Sequence, residues 1–120
     1  MSEAAASEYE DVGELGRAVA KSGDVPRILR AATLLEHLQE WDLYQSLLAS
    51  ALEAQRLAGH DKAAQAETTM ALAKSRVACY PEDPKAYAAA MGAYSTWKDL
   101  NQPEQTAEAA ILVLSTHCGG

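Results

Sequence analysis

A chain of 120 residues allows one domain with a small core. Its formal charge of −7 argues against a nucleic-acid surface, where Lys and Arg must replace condensed counterions, and against an anionic membrane surface. Phe is absent, Val and Ile are scarce, and the helix formers Ala, Leu, Glu, Gln and Lys dominate, so an all-α class follows.

Residues 1–7 read as a disordered tail, 8–117 as one helical domain and 118–120 as a flexible end. The first helix is predicted over about Glu8–Lys21, with Val12, Leu15, Gly16 and Val19 at helical spacing. Gly23 stands in a C-cap position, Asp24 can accept from the next helix's free N–H groups, and Pro26 fits its first turn. The second helix continues to about Gln39 on an apolar stripe of Ile28, Leu29, Ala32, Leu35 and Leu38. A third is predicted from Trp41 to Ala58, with Tyr44, Leu47, Leu48, Ala51, Ala54 and Ala58 on its apolar face. Gly59 stops it, and Asp61 caps a fourth that runs to about Cys79, with Ala64, Met70, Ala71, Ala73 and Val77 inward. Tyr80-Pro81-Glu82-Asp83-Pro84 is the clearest break, Asp83 being an N-cap and Pro84 the first residue of helix five. Helix five carries Tyr87, Ala90, Met91, Tyr94 and Trp97. Helix six opens at Pro103 and carries Ala107, Ala110, Ile111, Val113 and Leu114. No stretch alternates with the period of two that a half-buried strand requires.

The turn signals recur. From Gly23 to Gly59 is 36 residues, and from Gly59 to Asn101 is 42. A period of this size is the signature of stacked helical hairpins. The first hairpin reads Val12-x-x-Leu15-Gly16-x-x-Val19-x-x-x-Gly23-Asp24, then Ile28, Ala32 and Leu35. It resembles a tetratricopeptide repeat, with Val in place of the family's large first residue and later aromatic. Aligned on Gly59, the second hairpin places Leu48, Ala51, Leu52, Ala64 and Ala71 in register. It lacks the Leu-Gly pair and has Gln55 at the aromatic position. The third, aligned on Asn101, places Ala90, Ala93, Tyr94, Thr106, Ala110 and Val113 in register and supplies Trp97 as the aromatic. The resemblance covers about residues 8–117. It implies three antiparallel hairpins stacked as a short right-handed superhelix; a generic six-helix bundle shares the same periodicity.

The inventory of reactive groups predicts a protein that is not an enzyme and takes no cofactor or metal. His37, His60 and His117 are scattered, and no HExxH, CxxC or P-loop pattern is present. Gly13-x-x-Gly16 falls inside a helix. His117 and Cys118 adjoin at a terminus with nothing to fix their geometry, and Cys79 reads as a small apolar core residue. The start MSEAAASEYED lacks a basic n-region and an apolar h-region, and Ala109–Leu114 is too short to span a bilayer. The expected location is cytoplasmic.

In the repeat reading, the first helix of each hairpin lines a groove. Its positions are Arg17, Lys21, Ser46, Glu53, Arg56, Met91, Ser95 and Lys98. Arg17, Lys21, Arg56 and Lys98 are basic on a chain with ten Lys and Arg in all, so the groove suits an acidic peptide or a C-terminal carboxylate. The same charges also serve to solvate helix faces. The family's carboxylate-clamp positions hold Gly13, Arg17 and Ser50, so that particular activity is not implied. Ile111-Leu112-Val113-Leu114 is apolar all round, and Ile111, Leu112 and Leu114 form a candidate patch for a homodimer partner or a client. Tyr94 and Trp97 are either anchors of that surface or core residues between helices five and six.

Three functions follow as expectations. The first is a small adaptor that binds a peptide or helix of a partner protein. The second is a dedicated chaperone for a secreted or assembling subunit. The third is a structural subunit that self-assembles through the last helix.

Overall fold

The computed structural model describes Glu14 and residues 16–116. Six helices occupy these residues, and no strand occurs among them. The first, α1, is described over 16–22. It is followed by α2 (Val25–His37), α3 (Trp41–Ala58), α4 (Lys62–Cys79), α5 (Pro84–Asp99) and α6 (Pro103–Ser115). Val12, Leu15, the tail 1–7 and the end 118–120 lie outside the described residues.

The local code at the helix starts is direct. The carboxylates of Asp24, Asp61 and Asp83 accept from the backbone N–H groups of Arg27, Ala64 and Lys85 at 3.3, 2.7 and 2.9 Å. Each satisfies a donor that the first helical turn leaves without a partner. Prolines open α2, α5 and α6. At α6 the cap residue is Gln102, whose side chain makes no such bond.

The helix ends follow a second rule. Gly23, Gln39, Gly59 and Asn101 all adopt the left-handed conformation, with φ of 71, 58, 72 and 57°. After Gln39, Gly59 and Asn101 the following N–H turns back on a carbonyl five residues earlier: Glu40 to Leu35, His60 to Gln55, and Gln102 to Trp97, at 3.0, 2.9 and 3.1 Å. This is the Schellman closure of a helix. The turn at Gln39 ends α2 at His37, two residues earlier than its apolar periodicity predicts. Leu38 therefore leaves the helical phase and is 51% exposed instead of continuing the stripe of Ile28, Ala32 and Leu35.

The chain divides into two compact units, residues 1–54 and 55–120, the division falling within α3. In the first, Val25, Ile28, Ala32 and Leu35 of α2 and Tyr44, Leu47, Leu48 and Ala51 of α3 are buried. Burial raises the pKa of the Tyr44 phenol above its usual 10.0, and the Glu36 carboxylate adds to the effect. In the second unit, α5 packs along both α4 and α6, which meet each other over a smaller area. The core is built from Ala66, Met70, Ala73 and Val77 of α4, Ala86, Ala90, Ala93 and Trp97 of α5, and Ala109 of α6. Ala58 and Ala107, at apolar-face positions in the sequence pattern, are exposed.

Gln55 is only 3% exposed, and its Oε1 has no hydrogen-bond partner. A buried acceptor left unpaired costs about 1–3 kcal/mol. Gln55→Met removes the acceptor at similar volume, so it raises the urea midpoint, by about 1 kcal/mol of stability. A lowered midpoint would show that Oε1 has a partner in solution. Tyr44 gives a pH dependence whose sign is fixed. The unfolded phenol loses its proton near pH 10.0, while the native one still holds it. Deprotonation therefore favours the unfolded state, and stability falls as pH rises through that value. Urea midpoints measured across this range decline more steeply for the native sequence than for Tyr44→Phe.

Candidate functional site

Gly16 is buried on α1 and faces α3. A methyl group built on it would stand 3.7 Å from the Leu43 side chain, which is ordinary contact distance. Beside this approach α1 and α3 wall a cleft of about 260 Å³. Gly16, Ala20, Leu43 and Leu47 give it apolar walls, and Ser46 and Ser50 add two hydroxyls one helical turn apart. Arg17 and Lys21, also one turn apart, are exposed and complete the lining. The cleft lies wholly within the first unit.

Three of the predicted groove residues, Arg17, Lys21 and Ser46, are thus brought together. Ser50 joins them from the clamp positions. Ala20 and Leu43 were not legible as lining residues, because only the close approach at Gly16 turns these side chains toward one space. Glu53 and Arg56 are exposed on α3, and both are engaged in polar interactions. Met91 is half-buried on α5, and Ser95 is exposed.

Lys98 belongs to a different surface, in the second unit. Its ammonium stands 5.8 Å from the centre of the Tyr94 ring. Tyr94 and Lys98 of α5 and Thr106, Ala107 and Ala110 of α6 line a shallow groove of about 570 Å³, which Asn101, Gln102 and Pro103 close at one end. Trp97 points away from this surface role; it is 5% exposed and sits in the core, where its Nε1 has no acceptor. Tyr94 is half-buried and packs against that core from outside.

The apolar patch on α6 needs one correction. Ile111 and Leu114 are 63% and 84% exposed. Leu112 is half-buried and packs with Val113 against the core of the second unit. The reason is periodicity: Leu112 and Val113 follow the buried Ala109 by three and four residues and so share its face. Leu112 supports α6 from below and does not belong to the exposed face.

Among the described residues no group of three or more His, Cys, Asp or Glu is placed to hold a metal ion. No described helix is long and apolar enough to cross a membrane. His117 and Cys118 lie outside the described residues. Comparison of the chain with family models, with curated proteins and with solved structures found no match.

The space at Gly16 generates a test of the cleft's geometry. Alanine is favoured over glycine inside a helix by up to about 1 kcal/mol. Since the added methyl meets Leu43 without overlap, Gly16→Ala should leave the fold intact and raise its thermal midpoint. A destabilised variant would mean that α1 and α3 lie closer than this geometry allows.

Proposed function

We propose that this chain is a non-enzymatic protein-interaction module, a small tetratricopeptide-like adaptor, whose α1–α3 cleft receives an acidic segment of a partner protein. The observation that carries the reading is the pairing of Arg17 and Lys21 with the hydroxyls of Ser46 and Ser50 around an apolar floor. On a chain of net charge −7, such a cluster is a local reversal of sign. The guanidinium of Arg17 offers a planar fork that matches a carboxylate in two hydrogen bonds, and Lys21 adds a mobile point charge. The seryl hydroxyls can donate to a second carboxylate oxygen or to a peptide carbonyl. Leu43, Leu47 and Ala20 provide a dry surface for an aliphatic side chain next to the acidic one.

Magnitudes limit the affinity. Exposed ion pairs contribute about 0.2–1 kcal/mol each. Burying one aliphatic side chain of the peptide adds about 1.5–3 kcal/mol. The sum favours a weak, exchangeable complex whose recognition depends on charge steering as much as on contact.

The test uses the full 120-residue chain and a fluorescein-labelled peptide of alternating Glu and Leu, followed by anisotropy. Binding should weaken on raising the salt concentration. It should weaken at least about 10-fold in the double variant Arg17→Glu, Lys21→Glu, roughly the loss of two surface ion pairs with added repulsion. A Lys and Leu peptide serves as the control of opposite charge. Equal binding of both peptides, or an unchanged affinity in the double variant, would dismiss the cleft as the site.

A further inference from the structure

The outer face of α6 combines two large knobs with a floor of methyl groups. Ala107, Ala110, Ile111 and Leu114 fall within an arc of about 100° on the helix. Leu114 and Ile111 project into solvent, 84% and 63% exposed. Ala107 and Ala110 form part of the wall of the neighbouring α5–α6 groove. Knob and floor therefore belong to one stripe on one helix, the arrangement that a self-complementary surface requires.

We propose that this face binds a second copy of the chain, α6 against α6, antiparallel and related by a two-fold axis that passes between Ala110 and Ile111. In that register Leu114 of each copy meets Ala107 of the other, and Ile111 of each meets Ala110. Every large side chain opposes a small one. The two-fold axis repeats both contacts, as an isologous interface does. A register displaced by one helical turn would set Leu114 against Ile111 or leave the alanines facing each other over a void.

Charge at the ends of α6 is mixed, since its first turn carries the exposed Glu104 while a cation of α5 stands near the same end. Lys98 stands beside the N-terminal half of α6, next to Gln102, Pro103 and Thr106. Antiparallel pairing brings the C-terminal turn of the second α6 to this place. That turn contains no basic residue and ends at the negative pole of the helix dipole, where the Thr116 N–H and hydroxyl donate to the Val113 carbonyl and the Ser115 hydroxyl to that of Ile111. Lys98 of the first copy would add a cation to that negative pole. Glu108, which flanks the stripe, is already paired with Lys74 at 3.7 Å, which lessens repulsion between the two copies. A foreign helix would have to bring knobs and small residues in matching order; a second copy brings them by construction. The proposal does not depend on the peptide cleft of the first unit.

The test measures solution mass by light scattering over a concentration series of the full chain. A dimer is expected. Leu114→Glu should raise its dissociation constant by at least ~100-fold, since the two-fold axis counts each lost apolar contact twice. Leu57→Glu, at another exposed leucine, should leave the dimer unchanged. Circular dichroism establishes that both variants remain helical. The register has its own readout. In a Cys79→Ser, Cys118→Ser background, an equimolar mixture of the single variants Ala107→Cys and Leu114→Cys should give the mixed covalent dimer on oxidation in preference to either like pair. A chain that is monomeric at every concentration overturns the proposal, also where its α6 face takes up an added amphipathic helix instead. A dimer indifferent to Leu114→Glu, or one that fails to cross-link, overturns it equally.

Discussion

Where α4, α5 and α6 cross, methyl groups stand between the backbones. Ala66, Ala73, Ala86, Ala90, Ala93 and Ala109 are fully buried there, and Met70, Val77 and Trp97 are the larger side chains among them. A helix crossing lined with alanine lets two backbones approach closely and gains dispersion contacts along the chain itself. It also limits how much apolar area each crossing removes from water, because a methyl group contributes far less than a leucine. Among the large apolar side chains of the second unit, Leu57, Ile111 and Leu114 stay outside this core.

The same constraint bears on the indole of Trp97. Trp97 belongs to a cluster whose other buried members are alanines, Val77 and Met70, none of which carries a strong side-chain acceptor. Its Nε1 stays unpaired, and Gln55 Oε1 is unpaired as well. Each is a local loss of stability that close packing must offset. Exposed ion pairs such as Lys74 with Glu108 add little to this balance.

Much of the helix pattern was legible because its signals are local. Asp24, Asp61 and Asp83 act as caps through bonds to backbone two or three residues away, so sequence distance and spatial distance coincide. Gly23 and Gly59 mark left-handed ends that glycine alone adopts freely. Gln39 escaped notice because glutamine has no intrinsic preference for that conformation; the closure bonds of the turn impose it. Leu38 then followed a helical count that the chain had already abandoned. The half-burial of Leu112 escapes the pattern for a related reason. A run of four large apolar residues carries no phase of its own, and only the buried Ala109 fixes which of them faces inward. In the α1–α3 cleft, Arg17, Lys21 and Ser46 could be named from repeat spacing. Leu43 and Ala20 could not, since their part depends on how closely α1 approaches α3 at Gly16.

The two surfaces differ in chemistry and lie in different units of the chain. One is basic and hydroxyl-lined, suited to a ligand that exchanges. The other is apolar and self-complementary, suited to a copy that stays. If both are used, pairing through α6 gives a particle with two α1–α3 clefts. A partner that presents two acidic segments would then meet the second cleft at an effective concentration set by the span between segments, not by its concentration in solution. Apparent affinity can rise by about 10²–10⁴ without any stronger single contact. A cleft of modest intrinsic affinity is the form such a device requires, because tight monovalent binding would erase the distinction between a partner with one segment and a partner with two.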